Sequence, residues 1–324
     1  MVCLTAGLGL TIINYGMARA VKPRPASAAA KTGAPTILTA AQFAPLVNGY
    51  HISPGPPRVI SVPHASQLAG IQDITVTGTL LKKQLVALDP KTNKRTAAIP
   101  KGGGGYTAQS GDGDLHFCLG TAQLKPHVAC ELQSAKPYLA IFNQAIGTSI
   151  AVSGFFRCMF EHPGFRSNDD AHIFEIHPVR AATLGGHINT FLVGIPDQKS
   201  IHTWTNPHPL GVQDSRIKVQ YDKPTDTLTF TGMDGQDENY VNVAGVISAI
   251  HIGNGTAPST FTFTSPDIGH PVDAICLQGT TAASQLAHFK GNRVSLLALR
   301  NIDFAKALTG KYVISLLAID IRPG

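Results

Sequence analysis

The chain has 324 residues, 43% of them hydrophobic and 14% charged, with a formal net charge of +6. That length favours two domains over one, and a charge so dilute disfavours a dedicated nucleic-acid binder. Gly 32 and Pro 22 exclude a predominantly helical protein and fit many short strands joined by turns.

Residues 1–20 read as an export signal. The apolar run Val2–Tyr15 precedes Ala18-Arg19-Ala20, a small-x-small cleavage site, although a basic start is missing. An N-terminal helix buried or anchored in a membrane is the competing reading. No later segment has the length of a membrane helix, so the mature chain is expected to be exported, periplasmic or extracellular, without a span. Residues 21–40, rich in Ala, Pro, Lys and Ser, read as a low-complexity tether.

Residues 41–183 predict a first barrel. Its strands are expected at Ile74–Leu81, Leu85–Leu88, Leu115–Leu119, Val128–Leu132, Ile150–Phe156 and Ile173–Val179, where β-branched and aromatic residues lie between Gly, Pro or Asp. A short helix over Pro137–Gln144 precedes the fourth core strand, which is the element order of an OB-fold. Residues 184–238 form an interdomain segment. It carries the only Trp, Trp204, with His202 and His208, and a hairpin of Ile217–Tyr221 and Thr227–Thr231 around Asp222–Asp226.

Residues 239–324 repeat the plan. Tyr240–Ile250, like Ile74–Leu81, has a glycine midway, where a barrel strand can bend sharply. Thr260–Thr264, Val272–Gln278, Arg293–Leu299 and Tyr312–Ile321 follow, with a short helix over Ala282–Phe289 before the fourth strand. The fold class is therefore all-β: two OB-like five-stranded Greek-key barrels in tandem, each with a short helix before strand 4.

The distinctive local sequences lie in the first barrel. Asp112-Gly113-Asp114 leads into His116, and Ala129-Cys130-Glu131-Leu132 comes next. Val152-Ser153-Gly154-Phe155-Phe156 is followed by His162, and Glu175-Ile176-His177-Pro178-Val179 closes the series. In this order they resemble a group of exported, mostly uncharacterised bacterial proteins. That group carries D-G-D-x-H, an A-E-I-P-like strand, V-T-G-x-x-F-F-D-x-x-H and E-L-H-P-V. The resemblance spans residues 74–182. Cys158 departs from it, standing near a position where that group tends to have Asp. The resemblance implies an OB-like fold and export, with no activity to carry over.

In a strand, residues i and i+2 share a face, so Asp114 projects with His116, and Glu175 with His177. If the two strands approach, these four could converge on a divalent metal, with Glu131 or His162 as a fifth ligand. Such carboxylate–imidazole sets suit zinc, manganese or iron, and a metal with an open position could activate water. The alternative is a purely structural polar cluster, since His and Glu on neighbouring strands often satisfy each other. Strand parity adds a condition: a disulfide between directly opposed Cys118 and Cys130 would turn Glu131 away from the cluster.

Two other features need weighing. Lys82, Lys83, Lys91, Lys94, Arg95 and Lys101 occupy the loop region by which OB-folds hold polyanions, yet Tyr106 is the only aromatic residue between Ile74 and Phe117. Stacking platforms for single strands are therefore scarce. Cys158 with His162 has helical spacing in a stretch that leaves a strand, which speaks against a thiol–imidazole pair. G-x-S-x-G and H-E-x-x-H are absent. Three functions remain open: a non-catalytic envelope protein that assembles with itself or another protein, a metal-dependent hydrolase using the Asp114/His116/Glu175/His177 set, and a polyanion binder using the Lys82–Lys101 loop.

Overall fold

The computed structural model describes residues 36–53, 57–84, 115–120, 128–159, 173–191, 214–232, 240–254, 257–277, 280–289 and 291–324. In chain order the strands are β1 (Thr36–Thr39), β2 (His51–Ser53), β3 (Val59–Val62), β4 (Asp73–Gln84), β5 (Leu115–Gly120) and β6 (Val128–Leu132). Then come β7 (Ser149–Cys158), β8 (Phe174–Leu184), β9 (His187–Thr190), β10 (Lys218–Asp222) and β11 (Thr227–Thr231). The last five are β12 (Tyr240–His251), β13 (Ser259–Thr264), β14 (Pro271–Cys276), β15 (Arg293–Ile302) and β16 (Ile314–Pro323).

Two five-stranded barrels result. The first runs β4-β5-β6-β8-β7 and closes through β4–β7; the second is β12-β13-β14-β16-β15. In each, the third and fifth strands pair in parallel, Cys130 opposite Ile176 and Ala274 opposite Leu316. The helix Leu139–Ala145 precedes β7 and the helix Thr281–Gln285 precedes β15. This is the OB order, present twice. Alternation builds both cores: in β13, Phe261 and Phe263 point inward while Thr260, Thr262 and Thr264 face out.

Gly78 and Gly245 occupy the same place in the two barrels. The first strand exchanges partners one residue later, at Thr79 from β7 to β5 and at Val246 from β15 to β13. A Cβ on Gly78 would lie 2.7 Å from the Cβ of Ala40, and one on Gly245 would lie 2.4 Å from the Thr264 carbonyl oxygen. The close approach requires glycine.

The residues before β4 do more than tether. The segment Thr39–Gln42 forms a capping box in which the Gln42 amide donates to Thr39 Oγ1 and the Thr39 amide donates to Gln42 Oε1, starting the helix Ala40–Asn48. Just before that helix, β1 adds in parallel to β4, with Thr36 opposite Ile74 and Thr39 opposite Thr77. Strands β2 and β3 join the β10–β11 hairpin in a four-stranded sheet, ordered β10-β11-β3-β2. The expected strand Leu85–Leu88, the Trp204 segment and residues 1–35 lie outside the described residues.

Hydrophobic packing joins the barrels. Phe155, leaving the outer face of β7, sits in one buried cluster with Tyr240, Ile275, Leu277, Leu297, Leu299, Leu317 and Ile319 of the second barrel. The turn between β15 and β16 reaches back the other way. There Phe304 meets Phe174 at 5.8 Å and Phe230 at 6.0 Å between ring centroids.

Candidate functional site

Beside Phe155, the outer face of the first barrel is polar. Parity places His116 and Cys118 of β5, Ala129 and Glu131 of β6, and Glu175 and His177 of β8 on this face, while Phe117, Cys130, Phe174 and Ile176 point into the core. His116 stands directly opposite Glu131, and Cys118 opposite Ala129. Cys118 and Cys130 therefore point to opposite faces. Cys118, Cys130, Cys158 and Cys276 are all outside disulfides. The condition set by parity resolves toward Glu131.

Glu131, Glu175 and His177 come together, with one potential ligand atom from each within 4.8 Å of the others. His116 joins through Glu131, its Nε2 lying 2.7 Å from Glu131 Oε2. Asp114, His162 and the residues Lys91, Lys94, Arg95 and Lys101 lie outside the described residues, as do the side chains of Lys82 and Lys83.

His177 is wholly buried and held from both sides. Its Nδ1 lies 3.0 Å from Glu175 Oε1 and its Nε2 lies 3.1 Å from Glu131 Oε1. Tyr240, the first residue of the second barrel, brings its hydroxyl to 3.3 Å from Nε2. That hydroxyl also accepts a 2.5 Å hydrogen bond from Gln133 Nε2.

Two arginines complete the arrangement, each 1% exposed. Arg157 donates through Nη1 to Glu175 Oε1 and through Nε to the Arg300 carbonyl at 2.9 Å, crossing from barrel to barrel. Arg300 donates through Nη2 to Asp214 Oδ1 at 2.8 Å. The Cys158 amide also crosses, donating to Asn301 Oδ1 at 2.8 Å.

Charge within this network nearly cancels. The two guanidinium groups face the carboxylates of Glu175 and Asp214. His177 itself is held neutral. Burial lowers its pKa from 6.5 to about 4, against the upward pull of Glu175 and with help from Arg157 and His116. A neutral ring has one proton for two carboxylates, Glu175 at Nδ1 and Glu131 at Nε2, and the nitrogen without it can accept a hydrogen bond. Burial also raises the thiols of Cys130, Cys158 and Cys276, so none is a ready nucleophile.

The pairing of Glu175 with His177 was legible from spacing. Arg157, Gln133, Tyr240, Arg300 and Asp214 were not singled out. A signal existed for the arginines: each is the lone cation in an otherwise apolar run, in Phe155-Phe156-Arg157-Cys158 and Leu297-Ala298-Leu299-Arg300. Such a residue is buried only when paired.

No family model and no curated protein matches the chain. Among solved structures it is similar to the wild-type single-stranded DNA binding protein from Thermus aquaticus, at 12% identity over 78% of this chain and 93% of that chain, with a TM-score of 0.21. It is similar also to a deletion mutant of that protein, at 11% identity over 78% and 95%, with a TM-score of 0.20. Strand order and register, rather than these matches, make the two barrels OB-like.

Proposed function

We propose that this chain is an exported, non-catalytic binding or assembly protein of the cell envelope or extracellular space, whose polar cluster fixes one barrel against the other. One observation carries the reading of the cluster: Arg157 lies between Glu175 of the first barrel and the Arg300 carbonyl of the second. A guanidinium there supplies the positive charge that a divalent ion would otherwise bring. Burial of Glu131, Glu175 and His177 to 6% exposure or less withholds the water and substrate access that hydrolysis needs. Fixed relative placement of two barrels suits a protein that presents surfaces. Export rests on the apolar run Val2–Tyr15 with its Ala18-Arg19-Ala20 site and on the motif resemblance across residues 74–182. Among the described residues, no helix is long and apolar enough to cross a membrane.

Elemental analysis of the purified protein, beside a His177→Ala variant, tests the reading. The expected result is no stoichiometric zinc, manganese or iron in either, including after incubation with each metal. Near-stoichiometric metal in the wild type that disappears in the variant would replace this reading with a metal-dependent enzyme.

A further inference from the structure

The two barrels differ at one edge. In the first, β4 carries β7 on one side of its opening half and β1 on the other, with Ile74, Thr75, Val76 and Thr77 each paired to both. In the second, Tyr240–Val246 pairs with β15 on the corresponding side. Among the described residues no strand pairs the opposite edge of Val241–Gly245. The receiving sequences correspond position by position: Ile74-Thr75-Val76-Thr77-Gly78 against Val241-Asn242-Val243-Ala244-Gly245. Val241 and Val243 fill the core, whereas Asn242 and Ala244 are exposed.

A groove of about 400 Å³ opens where a strand added here would end. It is lined by Gly245, Val246, Thr264, His270, Pro271 and Arg293 among others, with no carboxylate on its wall. In the first barrel, β1 reaches this level at Thr39 and turns into a helix. The position opposite Thr79 is Ser149 there, and its equivalent opposite Val246 is Arg293. Val246 is itself 41% exposed. A strand edge with no partner among the described residues invites a further strand, and the Arg293 guanidinium, which lines the groove from β15 across Val246, matches a carboxylate.

We propose that the second barrel binds an extended peptide segment of a partner protein as an added strand, parallel to β12 along Val241–Gly245, with a carboxylate at the strand's C-terminal end held by Arg293. The proposal deepens the binding reading above and rests on it. A failed titration removes this edge alone, whereas stoichiometric metal at His177 removes the reading itself.

The probe is a synthetic octapeptide with the sequence of residues 32–39, which ends in the very strand that augments β4, carrying a free C-terminal carboxylate. Titrated into the full-length ¹⁵N-labelled protein, it is expected to give saturable amide shifts along Val241–Gly245 and at Arg293. Binding should weaken about tenfold for the C-terminally amidated peptide and for Arg293→Ala, an exposed position where substitution leaves the fold intact. Absence of saturable shifts along Val241–Gly245, or shifts confined to Ile74–Thr77, overturns the proposal. Equal binding of the amidated peptide overturns the carboxylate assignment. Concentration-dependent shifts of these amides without peptide assign the edge to a second copy of the chain instead.

Discussion

Arg157→Met is expected to lower the free energy of unfolding by about 3–5 kcal/mol, the cost of breaking a buried ion pair from one side. The arginine bonds to Glu175 and to the Arg300 carbonyl. Its removal leaves a carboxylate at 6% exposure with one cationic partner fewer, and an inter-barrel carbonyl without this donor. Glu175→Gln should cost a comparable amount, because it strands the guanidinium instead. The double variant is the informative one: with neither charge left buried, its loss should fall clearly short of the sum of the two singles. Urea unfolding of the four proteins reads this directly. Strict additivity would mean that the two side chains do not act as a pair.

The second large effect is on pH. His177 is neutral in the folded chain down to about pH 4, whereas the unfolded imidazole takes up its proton near 6.5. Between these values the unfolded chain binds the extra proton and the folded chain does not. Stability from this group is therefore complete above about pH 6.5, falls as the pH drops toward about 4, and is flat below. Over the window the loss amounts to about 3 kcal/mol. A His177→Gln variant has no ring to titrate, so its stability should follow pH more shallowly than that of the wild type. Other groups titrate in the same range, and the difference between the two proteins isolates this one. Parallel curves would show that His177 is already charged in the folded state.

Much of the fold was legible in the residues because it is written in local pattern. Phe261 and Phe263 alternate with threonines, glycines sit at equivalent bends, and a short helical run precedes the fourth strand of each barrel. The N-terminal strands were harder to read. Thr36–Thr39 and Val59–Val62 are only four residues each, and their partners are far away in sequence, at β4 and at the 227–231 hairpin strand. Only the Thr39-Ala40-Ala41-Gln42 capping box marked this region locally.

The cluster shows the same limit. Spacing alone placed Glu175 with His177 and Asp114 with His116, each pair on one face of its own strand. It could not show that a second barrel covers the face of Glu175 and His177, because Tyr240 and Arg300 reach it through the packing of domains rather than through any motif. Seen in isolation, two carboxylates and two imidazoles on neighbouring strands fit a metal. Arg157, Gln133 and Tyr240 give the same residues protein partners as well.

The most direct measurement is the side-chain nitrogen spectrum of His177 at neutral pH, recorded before and after adding zinc. The account predicts a neutral ring, protonated on one nitrogen only and unchanged by the metal. A ring protonated on both nitrogens, or a nitrogen resonance that moves on adding zinc and is restored by a chelator, would contradict it.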